Sequence, residues 1–397
     1  MGPSAPKRNI TVQVSNALGA PVTGVDLEVH VGGNLIQTIP KDNKEPSRIK
    51  IGPPDAPVAI VAKLREVDSE RFPTLAPQRQ DLGLSASRCD FVFRGAGAPI
   101  VLIVCAKACE EAAVRATCDW FSPNTFSRQN DTNIYREGIY LHGNGPTIRK
   151  VLIVTAGMNT LNANSVTTQA LISFPQIEHI LMSGIAGGCP NHQKPPEHVR
   201  LGDIVVPDYR GIVQYDHVKA TLENGQEVRK PRSHPQEPAA AMLQAATQLD
   251  TGAMLGERPW ETWINRGIQV FGTAARPPNA SDVLYAGAQV VPHPNDPERR
   301  QGQPRVHRGA VASADILQKN PDVRDMLRDK WDVRAIEMEG SGVQHAAWGR
   351  GLDVMVVRGI CDYCDHNKND AWHHYASLVA AAYTRAMVET LPEEWFP

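Results

Sequence analysis

Four short segments of this chain carry side chains that could do chemistry, and each follows or ends an apolar run. In Cys105-Ala-Lys-Ala-Cys-Glu110 a carboxylate opens a helical pattern straight after a strand pattern. A first-turn glutamate is also what a helix dipole favours. Ser183-Gly-Ile-Ala-Gly-Gly188 is a glycine cluster; there Gly184, Ala186 and Gly187 would let backbone N–H groups come close to an anion or a sugar. The same cluster would serve a tight turn, and its spacing is neither that of a P-loop nor GxGxxG. In Ala335-Ile-Glu-Met-Glu-Gly340 the carboxylates of Glu337 and Glu339 alternate around Met338 and, in extended geometry, share one face. Buried carboxylates need partners, and sugar hydroxyls are suitable donors; at a surface strand end, salt bridges would serve. Last, Val356-Val-Arg-Gly-Ile-Cys-Asp-Tyr-Cys-Asp365 runs an apolar strand into Asp362, a place that suits a turn or cap as well as an acid.

The elements that must position these groups form two patterns. From residue 99 on, short apolar runs (Val101-Leu-Ile-Val104, Val151-Leu-Ile-Val154, Ile177 to Met182, Asp203-Ile-Val-Val206, Val354-Met-Val-Val357) alternate with helical spacing at Glu110 to Trp120, Asn162 to Phe174, Pro238 to Gln248, Gly340 to Gly349 and Ala371 to Leu391. That order predicts an α/β domain with a largely buried central sheet, and ligands in such sheets usually sit at the carboxyl ends of strands. Residues 225 to 310 are dense in Pro and Arg and read as a loop-rich insertion over the site.

Before the Gly/Pro stretch Arg94-Gly-Ala-Gly-Ala-Pro99 the pattern is short and β-like: Ile10-Thr-Val-Gln-Val14, Val25 to Val31, Ile49-Lys-Ile51, Val58 to Leu64 and Cys89 to Phe93. Residues 1 to 95 thus read as a small antiparallel, sandwich-like accessory domain for binding, oligomerisation or targeting. Residues 99 to 397 read as the catalytic domain.

Composition limits the partners. Lysine and arginine total 41 against 43 acidic residues, so the charge balance argues against a dedicated nucleic-acid binder. No apolar run approaches the roughly 18 residues of a membrane span, and the start of the chain lacks a signal pattern. Seven cysteines, an odd number, do not suggest a disulfide framework. A cytoplasmic protein is expected. Cys361 and Cys364 form a CxxC, but no second pair stands at zinc spacing, so neither a metal nor a cofactor is expected.

The GIAGG, LGDIVV (residues 201–206), EMEG and RGICD blocks, with Ala312-Ser-Ala-Asp315 among them, resemble in that order the nucleoside phosphorylase and nucleosidase superfamily. The likeness is in particular to the methylthioadenosine/S-adenosylhomocysteine nucleosidases, and similar domains act as effectors in microbial and fungal immune proteins, in which CDY and a HKND-like stretch (His366-Asn-Lys-Asn-Asp370) recur. The resemblance covers about residues 99 to 395 and implies a phosphorylase-type, three-layer α/β domain with a mixed central sheet. It implies that Asp362 protonates purine N7, that Glu110 activates water, and that Glu339 holds the ribose hydroxyls over Met338. It places Ser313, Asp315 and Leu317 in the segment walling the base, and Gly157 and Asn159 in a turn beside the nucleophile. Cys361 stands where many relatives have serine.

N-glycosidic cleavage builds oxocarbenium character on the sugar and negative charge on the leaving purine, so an acid at the base and a carboxylate at the water divide the work. Phosphorolytic relatives often carry arginine and serine at the positions of Met182 and Ile185, neither of which can bind phosphate. Hydrolysis is therefore favoured over phosphorolysis. Arg229, Arg232, Arg266, Arg276, Arg299, Arg300, Arg305 and Arg308 in the insertion suggest a cationic cover for an adenine nucleotide such as ATP or AMP, and hence an immune effector that depletes nucleotides. A solvated arginine-rich loop is the plainer reading. A phosphate-dependent purine nucleoside phosphorylase and a non-catalytic nucleotide sensor remain as alternatives. The resemblance also implies a homo-oligomer, and the accessory domain is a candidate contact for a regulatory protein.

Overall fold

The computed structural model describes residues 8–15, 22, 24–51, 57–65, 77–82, 86–92, 99–141, 148–223, 226–232, 236–367 and 370–396. The expected linker at 94–98 lies outside the described residues. The chain divides into two compact units, one of residues 1–98 with 141–150 and 392–397, the other of 99–140 with 151–391.

In the first unit, alternation decides which side chains go inside. Ile10, Val12 and Val14 are fully buried, as are Val25 and Leu27 with Val29 nearly so, because every second residue of a strand shares a face. Strands Asn34–Lys41, Val25–Val31, Val58–Leu64 and Gln78–Leu82 form an antiparallel sheet in that order. A second sheet sets Arg8–Ser15 between Ser47–Ile51, antiparallel, and Arg88–Val92, parallel. The parallel pair corrects the all-antiparallel expectation. Asn34–Lys41 and Gln78–Leu82 gave no alternating signal because they are edge strands; Leu35 and Ile36 are exposed.

The second unit is α/β. Its central sheet runs Ile212–Gln214, Ala310–Ser313, Val333–Glu337, His179–Gly188, Val101–Cys105, Ile148–Thr155, Tyr135–Leu141 and Trp120–Phe121, while Asp353–Asp362 pairs with both His179–Gly188 and Ile204–Val206. Val101–Cys105 is buried throughout, the mark of a strand covered on both faces. Helix Ala108–Thr117 follows that strand, Thr160–Ser173 follows Ile148–Thr155, and Gly340–Trp348 follows Val333–Glu337. Helix His373–Thr390 is buried on nearly every side, consistent with an apolar, alanine-rich sequence that needs no solvent face.

Two expectations change here. The glycine cluster is not a loop after a strand: His179–Gly188 is one strand, whose first four residues pair with Val101–Val104 and whose remainder continues beside Arg358–Asp362 and, antiparallel, against Ala335 and Ile336. Its glycines allow close approach by neighbouring side chains, which a turn would not require. Residues 225 to 310, expected as loop-rich around the helical pattern at Pro238 to Gln248, carry that helix as Ala240–Met254 and also hold helix Pro259–Val270 and the strand Val306–Arg308, which joins the central sheet. No helix among the described residues is long and apolar enough to cross a membrane.

Candidate active site

A cavity of about 230 Å3 opens where Val101–Cys105 ends and the glycine half of His179–Gly188 runs on. Its lining includes Lys107, Glu110, Met158, Ile185, Met338, Glu339, Cys361, Asp362 and His373. It lies at strand ends, where α/β sheets bind ligands.

Glu110 reaches it from the first turn of helix Ala108–Thr117. One carboxylate oxygen accepts from the Ala106 and Lys107 amides at 2.6 and 3.0 Å, and the other from the Ile185 amide at 2.8 Å. The carboxylate thus accepts from amides at the start of its own helix, where a first-turn glutamate is expected, while it lines the cavity. Burial pushes its carboxyl above the usual range, and Arg358 and the three amides oppose that rise.

Arg358 lies behind the cavity lining, on the strand beside Gly184, and does not itself line the cavity. It is wholly buried, its Nη2 lies 3.0 Å from Met182 Sδ, and it pairs with Glu337 and, at 3.6 Å, with Glu339. Burial alone would lower its pKa, but Glu337, Glu339 and Glu110 hold it above the ordinary value. Its Nε and Nη1 have no hydrogen-bond partner among the described residues.

Glu337 and Glu339 divide what the sequence treated as one pair. Glu337 ends its strand and accepts from the amides of Glu339 and Gly340 at the start of helix Gly340–Trp348. Glu339 stands at the N-cap position of that helix without a side-chain capping bond, and its carboxylate accepts from the Asn159 amide at 3.3 Å. Burial pushes the Glu339 carboxyl up to about 7, with Arg358 pulling it down and Glu337 pushing it up.

Asp362 stands at the other part of the cavity. Its Oδ1 accepts from the Cys364 amide at 2.8 Å, and Cys361 Sγ lies 3.2 Å from Oδ2. The register between the two strands slips at Ala186/Gly187, so that Gly187 pairs with Asp362 and Cys361 is left over. Adjacent strand residues normally face opposite ways. The bulge lets Cys361 and Asp362 both line the cavity, a local re-aiming that bulges commonly provide. Gly184, whose neighbours are Arg358 and Glu110, and Gly187, whose neighbour is Asp362, are three strand residues apart, which spaces the two groups by roughly 10 Å.

Of the expected site residues, Glu110, Ala186, Gly187, Leu317, Glu337, Met338, Glu339, Cys361 and Asp362 line the cavity, whereas Gly157, Asn159, Gly184, Ser313 and Asp315 do not. Asn159 and Gly157 shape the adjoining turn with positive φ. Ser313 is fully buried and bonds Ser341, and Asp315 accepts from the Thr160 amide at 2.6 Å. Both brace the wall instead of touching the space. Sequence reasoning missed Arg358, although a lone arginine inside the apolar run 354–360 was a signal that something must compensate it.

The expected cationic cover is corrected. Of the eight arginines none lines this cavity among the described side chains, and that of Arg229 lies outside them. Arg299 pairs with Asp203, Arg300 with Glu261, Arg305 with Asp296 and Glu298, and Arg266 with Asp119. They are engaged in holding the fold. Among the described residues, no group of three or more His, Cys, Asp or Glu could hold a metal ion.

The sequence pattern of the phosphorylase superfamily matches residues 101–390. The chain belongs to the phosphorylase superfamily. Within and around it, the chain is 27% identical over 290 residues to an ATP nucleosidase, Cap17, of Escherichia coli, covering 72% of this chain and 50% of that protein. It is 26% identical over 332 residues to a nucleotide-binding leucine-rich repeat (NLR)-like protein of Hyaloscypha variabilis, covering 80% of this chain and 30% of that one. The chain therefore spans half or less of these relatives. A 5'-methylthioadenosine/S-adenosylhomocysteine nucleosidase of Mycobacterium tuberculosis is 23% identical over 245 residues, 61% of this chain and 81% of the enzyme. Futalosine hydrolase of Helicobacter pylori superposes with a TM-score of 0.49 at 17% identity, over 72% of this chain and 96% of that one.

Proposed function

We propose that this superfamily member hydrolyses the N-glycosidic bond of a purine nucleotide, with an adenine nucleotide such as ATP as substrate. The observation that carries the reading is the placement of Glu110 and Glu339, backed by the buried Arg358, in one cavity with Asp362. Water held by Glu110 attacks the sugar C1′ as the bond to the base breaks. Glu110 takes the water proton, and Asp362 supplies a proton to the departing base, giving free adenine and a ribose phosphate. Burial supports this role for Glu110, because a raised carboxyl is a better base near neutral pH. Glu339 accepts hydrogen bonds from the ribose hydroxyls.

The same cluster favours water over phosphate. Three carboxylates surround one guanidinium, so an incoming phosphate dianion would meet excess negative charge. Similarity to the Cap17 ATP nucleosidase supports ATP as substrate; the arginines of 225–310 no longer do. We read the protein as an immune effector that depletes nucleotides, acting as a homo-oligomer in the cytoplasm and controlled through its N-terminal β domain. Chromatographic assay of free base after incubation with ATP, AMP, adenosine, methylthioadenosine, inosine and guanosine, each with and without phosphate, tests this. Adenine from ATP or AMP without phosphate is expected. Release that requires phosphate would replace hydrolysis by phosphorolysis, and tight binding without release would point to a sensor.

A further inference from the structure

The CxxC of Cys361 and Cys364 remains unused by the reaction, yet its two thiols bracket the proposed acid. Both cysteines line the catalytic cavity, are buried, and carry thiols. Cys361 Sγ lies 3.2 Å from Asp362 Oδ2, and the Cys364 amide donates to Oδ1 at 2.8 Å. Cys364 Sγ and Asp362 Oδ1 crowd the same point above Gly187: a Cβ there would overlap the sulfur and come within 2.8 Å of the oxygen. Cys364 also holds a left-handed φ of 53°, uncommon for a residue other than glycine, which turns the chain sharply just past Asp362.

We propose that Cys361 and Cys364 form a redox switch: oxidation by a peroxide joins them in a disulfide that disables Asp362. One thiolate attacks a peroxide oxygen, giving a sulfenic acid and one water. The second sulfur then displaces the sulfenic oxygen as a second water, forming the S–S bond. Two thiols lose two protons and two electrons, and hydrogen peroxide becomes two waters. The product lacks the Cys361 S–H beside Oδ2, and the new bond constrains the turn whose amide holds Oδ1.

The disulfide itself is independent of the proposed reaction; its effect on turnover rests on that reading. The test treats the protein with hydrogen peroxide or with a phosphine reductant, then alkylates and digests with trypsin. Cleavage after Arg358 and Lys368 releases one peptide carrying Cys361 and Cys364 alone. After peroxide this peptide should lose two hydrogens and resist alkylation, and reductant should restore two alkylation sites. Base release should fall about a hundredfold, the low end of a general acid's contribution, and recover with reductant. Cys364→Ser, whatever its own rate, should lose no further activity to peroxide. Full alkylation after peroxide overturns the proposal, as does an equal peroxide loss in Cys364→Ser. If no state releases base, the hydrolase reading fails while the alkylation result still decides the disulfide.

Discussion

Gly184 and Arg358 stand side by side in adjacent parallel strands, and the guanidinium occupies the place that any other residue at 184 would need for its Cβ. That same Cβ would come within 2.6 Å of Glu110 Oε1. The missing side chain is what lets a buried arginine and a buried glutamate both approach this point. Gly184→Ala should therefore separate the pair, destabilising the fold by about 1–3 kcal/mol as overpacking does and lowering base release far more than stability alone explains. Denaturant titration alongside an activity assay reads both; near-normal turnover would sink the idea.

Asp362 and Glu110 are assigned different protons, and their variants should differ in kind. Asp362→Asn and Glu110→Gln should each lower kcat by roughly 10^2 to 10^4-fold. A riboside with a good leaving group, such as nitrophenyl riboside, needs no protonation of its base, so it should rescue Asp362→Asn and leave Glu110→Gln impaired. Equal rescue of both would contradict the division of roles.

Glu339 predicts two pH trends of opposite sign. Its folded carboxyl sits at about 7 against an ordinary 4.5, so the folded protein holds this proton more tightly than the unfolded chain does. The stability so contributed is complete below about 4.5 and is lost as pH rises to about 7. Binding runs the other way, because only the ionised form accepts from two hydroxyls, and KM should fall over the same window. Glu339→Gln should remove both steps; persistence of either in the variant assigns that step to another group.

Arg358 compensates Glu337, Glu339 and Glu110 at once. Arg358→Ala leaves these carboxylates buried without their cation, which should cost roughly 3–5 kcal/mol and raise the Glu110 and Glu339 carboxyls further. Chemical denaturation measures the first effect. An upward shift of the pH–rate profile of any folded variant measures the second.

The alternating apolar runs from Val101 to Val357 and the helical spacings between them were legible because periodicity is a local property, set by repeats of two and 3.6 residues along one element. The candidate chemistry at Glu110, Glu339 and Asp362 came from the resemblance of whole blocks such as EMEG and RGICD, because each residue alone fits a first-turn, salt-bridged or turn role equally well. Contacts between elements have no such local trace. Nothing in Ser183 to Gly188 says that its glycines lie within a strand with Arg358 and Asp362 packed against them. Composition could count the arginines of 225 to 310, but only tertiary pairing showed Arg299 on Asp203 and Arg300 on Glu261. Likewise Ser313 and Asp315 sit in the right segment yet brace Ser341 and Thr160. The sequence determined which elements form and which groups are chemically able; strand register and charge pairing over long separations decided which of those groups share a cavity.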